Sequence, residues 1–152
     1  MDKELHRIAS TCIIYKDGKY LLLQRSFEKK VFPGKWTVPG GGLTTDDYIN
    51  EPKTTSDHWY FALEKSLRRE IKEEAGIEVG KINYLCDMTF IRPDNIPVIV
   101  LSFYAPYKSG DIKLDGESVN HAWVTLDEVK NYDLIEGIAD EIKMVEKLIC
   151  VK

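Results

Sequence analysis

Apolar residues recur along this chain with two different periods. Residues 7–15 are apolar and β-branched, with Ile8, Thr11, Ile13 and Ile14, which predicts a strand. Lys16-Asp17-Gly18-Lys19 follows, and an Asp-Gly pair between two such runs is a hairpin signal. Residues 20–24 form the returning strand, which ends at Arg25. Phe32-Pro33-Gly34-Lys35 is a turn, and Trp36-Thr37-Val38 then runs through Pro39 into three consecutive glycines. Periodicity is lost over residues 43–56, which are polar and read as a surface loop. Ser56-Asp57 is expected to cap the helix that follows. Trp59, Tyr60, Leu63, Leu67 and Ile71 are expected on its buried side, and Gly76 is placed to end it in a left-handed conformation. Strands are predicted over 77–90, 97–107 and 121–125. The middle one is the most apolar and belongs at the centre of a sheet. A last helix over 137–148 carries Ile138, Ile142, Val145 and Leu148 on one face. Strands, helix, strands, helix is an order that suits an α/β fold, a mixed sheet covered on two faces by helices.

The length of 152 residues suits one domain, 1–152, with a core of its own. No internal repeat or linker divides it. A net charge of -4 argues against general nucleic-acid binding, which needs a basic face. It leaves room for a phosphorylated substrate if a bound cation supplies positive charge. Cys12, Cys86 and Cys150 are widely spaced and odd in number. That excludes a zinc cluster or disulfide framework as the organising device and points to a reducing, cytoplasmic setting. No apolar run suggests a signal peptide or a membrane span. A homodimer is compatible with these features.

The densest chemistry lies in Arg69-Glu70-Ile71-Lys72-Glu73-Glu74-Ala75-Gly76-Ile77. A helix turns about 100° per residue, so the three glutamates share an arc of roughly 100°. They stand beside the apolar stripe of Leu63, Leu67 and Ile71. Like charges repel, and carboxylates next to a buried stripe lose hydration. A divalent cation offsets both costs, and Mg²⁺ accepts carboxylate oxygens while keeping water and phosphate ligands. Taken alone, a solvated acidic face is the plainer reading. The glycine run upstream tips the balance, because glycines admit close backbone approach and expose carbonyl oxygens.

The glycine loop and this helix together resemble the Nudix hydrolases. Their signature is G-x5-E-x7-R-E-U-x-E-E-x-G-U, with U an aliphatic residue. The second half matches at every specified position from Arg69 to Ile77, and Gly41 corresponds to the glycine. The middle departs from the signature. The family has fourteen positions from glycine to arginine, and this chain has twice that spacing, so an insertion lies within residues 43–60. Counted back from Arg69, the first motif glutamate falls on Phe61. It is missing, or supplied by Asp46, Asp47, Glu51 or Glu64.

The resemblance implies an α/β/α sandwich and hydrolysis of the diphosphate linkage in a nucleoside diphosphate derivative. Nucleotide sugars, ADP-ribose-like compounds and nucleoside triphosphates are the candidate substrates. Mg²⁺ is the implied cofactor, with Mn²⁺ as its substitute. Glu70, Glu73 and Glu74 are the implied ligands, with Gly41 giving a carbonyl and Arg69 orienting a carboxylate. The general base is one of the glutamates or an acid from a later loop, for which Glu117 is the candidate. Arg25 is a candidate substrate contact. The alternative is a nucleotide-binding or regulatory module that keeps the fold with little catalysis. The inserted stretch is expected to act as a mobile lid.

Overall fold

The computed structural model of the protein describes residues 2–150. Its strands are β1 (Arg7–Lys16), β2 (Lys19–Arg25), β3 (Trp36–Thr37), β4 (Gly40–Gly42), β5 (Glu78–Val79), β6 (Asn83–Ile91), β7 (Pro97–Ser109) and β8 (Ser118–Val124). Its helices are α1 (Ala62–Ala75) and α2 (Ile138–Cys150), with short 3₁₀ turns at Thr45–Asp47 and Asp127–Asn131. The sheet is mixed. β1 lies parallel to β7 and antiparallel to β2 and β4. β2 continues to β3 and β8, and β7 carries β5 and β6 on its other side. β7 is thus central, in keeping with its largely apolar sequence.

Each face of the sheet builds its own core. Cys12, Ile14, Leu21, Leu23 and Ala105 pack with Leu67, Ile71 and Ala75 of α1. Ile13, Tyr20, Leu22 and Val124 pack with Ile138, Ile142 and Val145 of α2. Residues 20–23 are buried without a break, because successive side chains of β2 enter opposite cores. Asp17 and Gly18 take positive φ values of 50° and 76°, the geometry of a type I′ hairpin turn. Among the described residues, no helix is long and apolar enough to cross a membrane.

Helix α1 starts later than its sequence suggests. Its N-cap is Phe61, at φ 64° and without a side-chain cap. Ser56 and Asp57 cap nothing, since Thr55 and His58 bond each other and hold that stretch in a turn. Trp59 and Tyr60 lie outside the helix, and Tyr60 is exposed. Gly76 closes the helix as expected, at φ 75° with its N–H donating to the Lys72 carbonyl. Two bonds from Arg68 to the carbonyls of Val79 and Gly80 fix the chain after that turn. The strand expected over 77–90 is in fact two, broken at 80–82 where the chain leaves one part of β7 and rejoins another.

Candidate active site

The three glycines of β4 have three different neighbours. A Cβ on Gly40 would overlap the Ser10 carbonyl oxygen of β1. A Cβ on Gly41 would sit 2.6 Å from the Glu70 carboxyl carbon. A Cβ on Gly42 would sit 2.7 Å from Cζ of Arg7. Side chains alternate across a strand, so β4 separates a carboxylate side, with Glu70 of α1, from a cationic side.

On the carboxylate side, Glu70 and Glu74 stand one helical turn apart and share a hydrogen bond. Burial, and then the charge of Glu70, push the Glu74 carboxyl up to about 9, although the Gly40 N–H works the other way. Two carboxyl groups held this close resist being ionised together. Arg69 ties three acids together. Its Nη1 donates to Glu73 Oε2 at 2.9 Å, and its Nη2 donates to Asp47 Oδ1 at 2.5 Å and to Glu70 Oε1 at 3.2 Å. Glu73 is therefore drawn to the exposed side of the helix by Arg69, whereas Glu74 turns inward.

Asp47 is the residue that sequence reasoning left among four. It is the sixth residue after Gly41, where the signature counted forward from the glycine has its glutamate. Counting back from Arg69 met the insertion first and reached Phe61, which is exposed and touches none of these groups. The inserted residues are accordingly 48–61. Burial alone would raise the Asp47 carboxyl, but the Thr44 N–H, the Arg69 guanidinium and the Ser66 hydroxyl outweigh it and hold it low. The inserted loop closes on itself. Tyr48 packs on Trp59 at 5.3 Å, and the Trp59 indole N–H donates to the Glu51 carbonyl at 2.7 Å. None of residues 48–60 lines the cleft described next.

Beyond β4 lies a cleft of about 210 Å³. Ala9, Thr11 and Val100 are on its sheet wall, and Arg7, Arg25, Lys29, Glu74 and Glu117 reach it from the sides. Arg25 lines the cleft with its Nε donating to the Val31 carbonyl at 3.0 Å. Glu117 lines it too, but pairs with Lys29 at 3.1 Å. The loop acid whose charge reaches Glu74 is Asp115. The sequence did not single it out. The loop is brought there by Lys113, whose N–H satisfies the last carbonyl of α1, that of Ala75.

Among the described residues, no three His, Cys, Asp or Glu side chains surround one point. The donors nonetheless fit a hard divalent cation. Glu70 and Glu74 present two carboxyl groups that repel unless a proton or a cation lies between them, and the bare Gly40–Gly41 backbone approaches them closely. Mg²⁺ suits such a partial shell, since it keeps several waters.

The NUDIX domain model matches residues 5–148. The nucleoside triphosphatase NudI of Klebsiella pneumoniae is 30% identical over 133 residues, spanning 80% of this chain and 84% of that protein. The MutT NUDIX hydrolase structure from Burkholderia pseudomallei superposes with a TM-score of 0.74 at 23% identity, covering 93% of this chain and 99% of that one. The NUDIX domain of Shewanella oneidensis NrtR, solved in complex with ADP ribose, gives 0.70 at 19% identity, covering 98% and 90%. With its signature helix, its glycine strand and its mixed sheet between two helices, the chain belongs to the NUDIX domain family and is a Nudix hydrolase.

Proposed function

We propose that this protein hydrolyses the diphosphate linkage of a nucleotide, with a nucleoside triphosphate as first substrate and Mg²⁺, or Mn²⁺ in its place, as cofactor. The observation that carries the reading is the Glu70–Glu74 pair. Two carboxyl groups are forced together against a strand of bare glycines, beside a cleft lined by Arg25 and Lys29. Such a pair costs stability in a protein that only packs. It becomes useful when a cation binds there. The substrate class is supported by NudI, whose name is that of a nucleoside triphosphatase.

Glu70, Glu73 and Glu74, with a carbonyl of Gly41 or Gly40, would hold the cation. When bound, it would neutralise phosphate oxygens and lower the pKa of a coordinated water. The residues of the chain do the rest. A carboxylate of the Glu70–Glu74 pair, or the loop acids Asp115 and Glu117, accepts the proton of the attacking water. The water oxygen bonds to one phosphorus, the bond from that phosphorus to the bridging oxygen breaks, and the leaving phosphate departs with the bridging oxygen. Arg69, anchored by Asp47, holds Glu70 and Glu73 in place; a planar guanidinium suits that task. Arg25 contacts the substrate.

The test is phosphate release from nucleoside triphosphates, ADP-ribose, NADH, sugar nucleotides and dinucleoside polyphosphates, with and without Mg²⁺. Turnover that needs the cation and favours triphosphates is the expected result. Tight binding without turnover across the panel would instead select the binding-module reading, which the ADP-ribose complex of the NrtR domain supports.

A further inference from the structure

The signature explains Gly41 by its approach to Glu70. It leaves Gly42 unexplained. Gly42 pairs with Ala9 of β1 at an ordinary strand position, and its φ is not positive, so backbone strain does not demand glycine there. What excludes a side chain is Arg7. A Cβ on Gly42 would lie 2.7 Å from Cζ and 3.1 Å from Nη1 of that guanidinium. Arg7, Ala9 and Thr11 alternate onto one face of β1 and all line the cleft, and Arg7 lies over the glycine strand at its rim.

Among the described residues, three cationic side chains reach this cleft, and they are not equivalent. Lys29 is neutralised by Glu117 at 3.1 Å. Arg25 spends its Nε on the Val31 carbonyl. The Arg7 guanidinium makes no hydrogen bond or ion pair among the described residues. A guanidinium carries five donors in a planar fork. Here that fork is uncommitted, it rests on a backbone with its side chain removed, and it faces a cleft that Glu74 also lines. The chain as a whole is acidic, at -4, so general basicity does not account for it.

We infer that Arg7 is a substrate-binding residue that grips a phosphate group of the nucleotide, and that Gly42 is bare to give its guanidinium room. This rests on the nucleotide reading of the site and adds a residue from outside the signature. Arg7 acts on binding rather than on the water. Its removal therefore raises KM and leaves most of kcat, since a contact made equally in ground and transition state shows in KM.

The experiment measures kcat and KM for the best triphosphate of the panel with Arg7→Gln, Arg7→Lys, Gly42→Ala and the Arg7→Gln/Gly42→Ala pair, with melting temperatures to confirm folding. Inhibition by the matching monophosphate and by the unphosphorylated nucleoside is measured alongside. Loss of one charge-assisted contact at an exposed site predicts a KM rise of about tenfold for Arg7→Gln. Arg7→Lys recovers part of it, because charge returns without the fork. Gly42→Ala reproduces the effect by displacing the guanidinium, and the double variant is no worse than Arg7→Gln alone. The monophosphate weakens as an inhibitor and the nucleoside does not. An unchanged KM, additive effects in the pair, or equal weakening of the nucleoside overturns the inference. Absence of turnover in the wild type sinks the hydrolase reading instead. The same ratios are then read from calorimetric titration of the nucleotide, where equal binding by wild type and Arg7→Gln, or no binding by either, refutes the role of Arg7.

Discussion

Replacing Gly41 by alanine tests how the Glu70 carboxylate is seated. The new Cβ would lie 2.6 Å from Cδ of Glu70, 2.7 Å from Oε1 and 2.9 Å from Oε2. Carbon atoms in contact prefer about 3.5–4.0 Å, so the carboxyl must retreat by about 1 Å. It can do so, because it is the far end of a flexible side chain, and the Gly41 backbone is not in the left-handed region. The fold should therefore lose less than about 1 kcal/mol, or roughly 2–4 °C in Tm for a chain of this size. Activity should lose far more, because a misplacement of about 1 Å in a reacting site costs on the order of 10²-fold. Gly40→Ala is the contrast. Its Cβ meets the Ser10 carbonyl oxygen and the Thr11 Cα, which are backbone atoms of the core strand β1. Overpacking that cannot relax costs about 1–3 kcal/mol. The assay pairs initial rates over a Mg²⁺ titration with thermal unfolding of both variants. A Gly41→Ala protein with kcat near wild type refutes the seating of Glu70 against the glycine. One that melts as low as Gly40→Ala refutes the claim that only a side-chain end stands in the way.

Glu73→Gln and Glu74→Gln each remove a charge from the proposed cation site at nearly constant volume, so each should cut kcat by about 10²-fold or more at saturating Mg²⁺ with circular dichroism unchanged; near-wild-type turnover removes that residue from the ligand set. Exchange of residues 49–58 for a short Gly-Ser linker spares Asp47 and should leave the substrate ranking intact and kcat/KM within about threefold, whereas selective loss of one substrate would show the loop closing over bound ligand. Glu141 is buried with Oε1 unpartnered among the described residues, and burial holds its carboxyl above the usual range. A raised carboxyl lends stability that is complete below its unfolded value of 4.5 and is lost as pH rises through the folded value. Glu141→Gln should flatten that decline and raise stability at pH 8 by about 1 kcal/mol; a lower Tm at pH 8 would contradict this.

The fold was legible where the chain obeys one local rule at a time. Alternation and the Asp-Gly turn placed β1 and β2, and the four-residue spacing of Leu63, Leu67 and Ile71 pointed to the buried face of α1, where Leu67 and Ile71 are buried and Leu63 is only partly so. The start of that helix was not legible. Ser56 and Asp57 have the right side chains for a cap, but Thr55 and His58 claim the local hydrogen bonds first, and the chain enters the helix through Phe61. In the candidate site, Arg69, Glu70, Glu73 and Glu74 fall within six residues and stand out in the sequence. Asp115 and Arg7 do not, because tertiary pairing brings them there. Lys113 docks one loop on the end of α1, and the β1–β4 register lays Arg7 on Gly42. Single-sequence patterns carry no record of such pairings.

The insertion is tolerated for a reason visible in its boundaries. A flexible loop lengthened threefold costs only about 1 kcal/mol more to close. The danger is loss of position at its far end, where Arg69 must meet Glu70 and Glu73. That position is set by Asp47, which lies just before the inserted residues and is itself fixed. Its Oδ2 accepts the Thr44 N–H at 2.8 Å and the Ser66 hydroxyl at 3.2 Å, while its Oδ1 takes Arg69. Ser66 and Arg69 belong to one turn of α1, so Asp47 bonds the helix twice and bridges the insertion at its root. The residues between are then free of the task of aligning the two halves of the signature. They pack Trp59 on Tyr48 instead. Evolution can alter the length of this loop without moving a carboxylate, provided the acid six residues after Gly41 is kept.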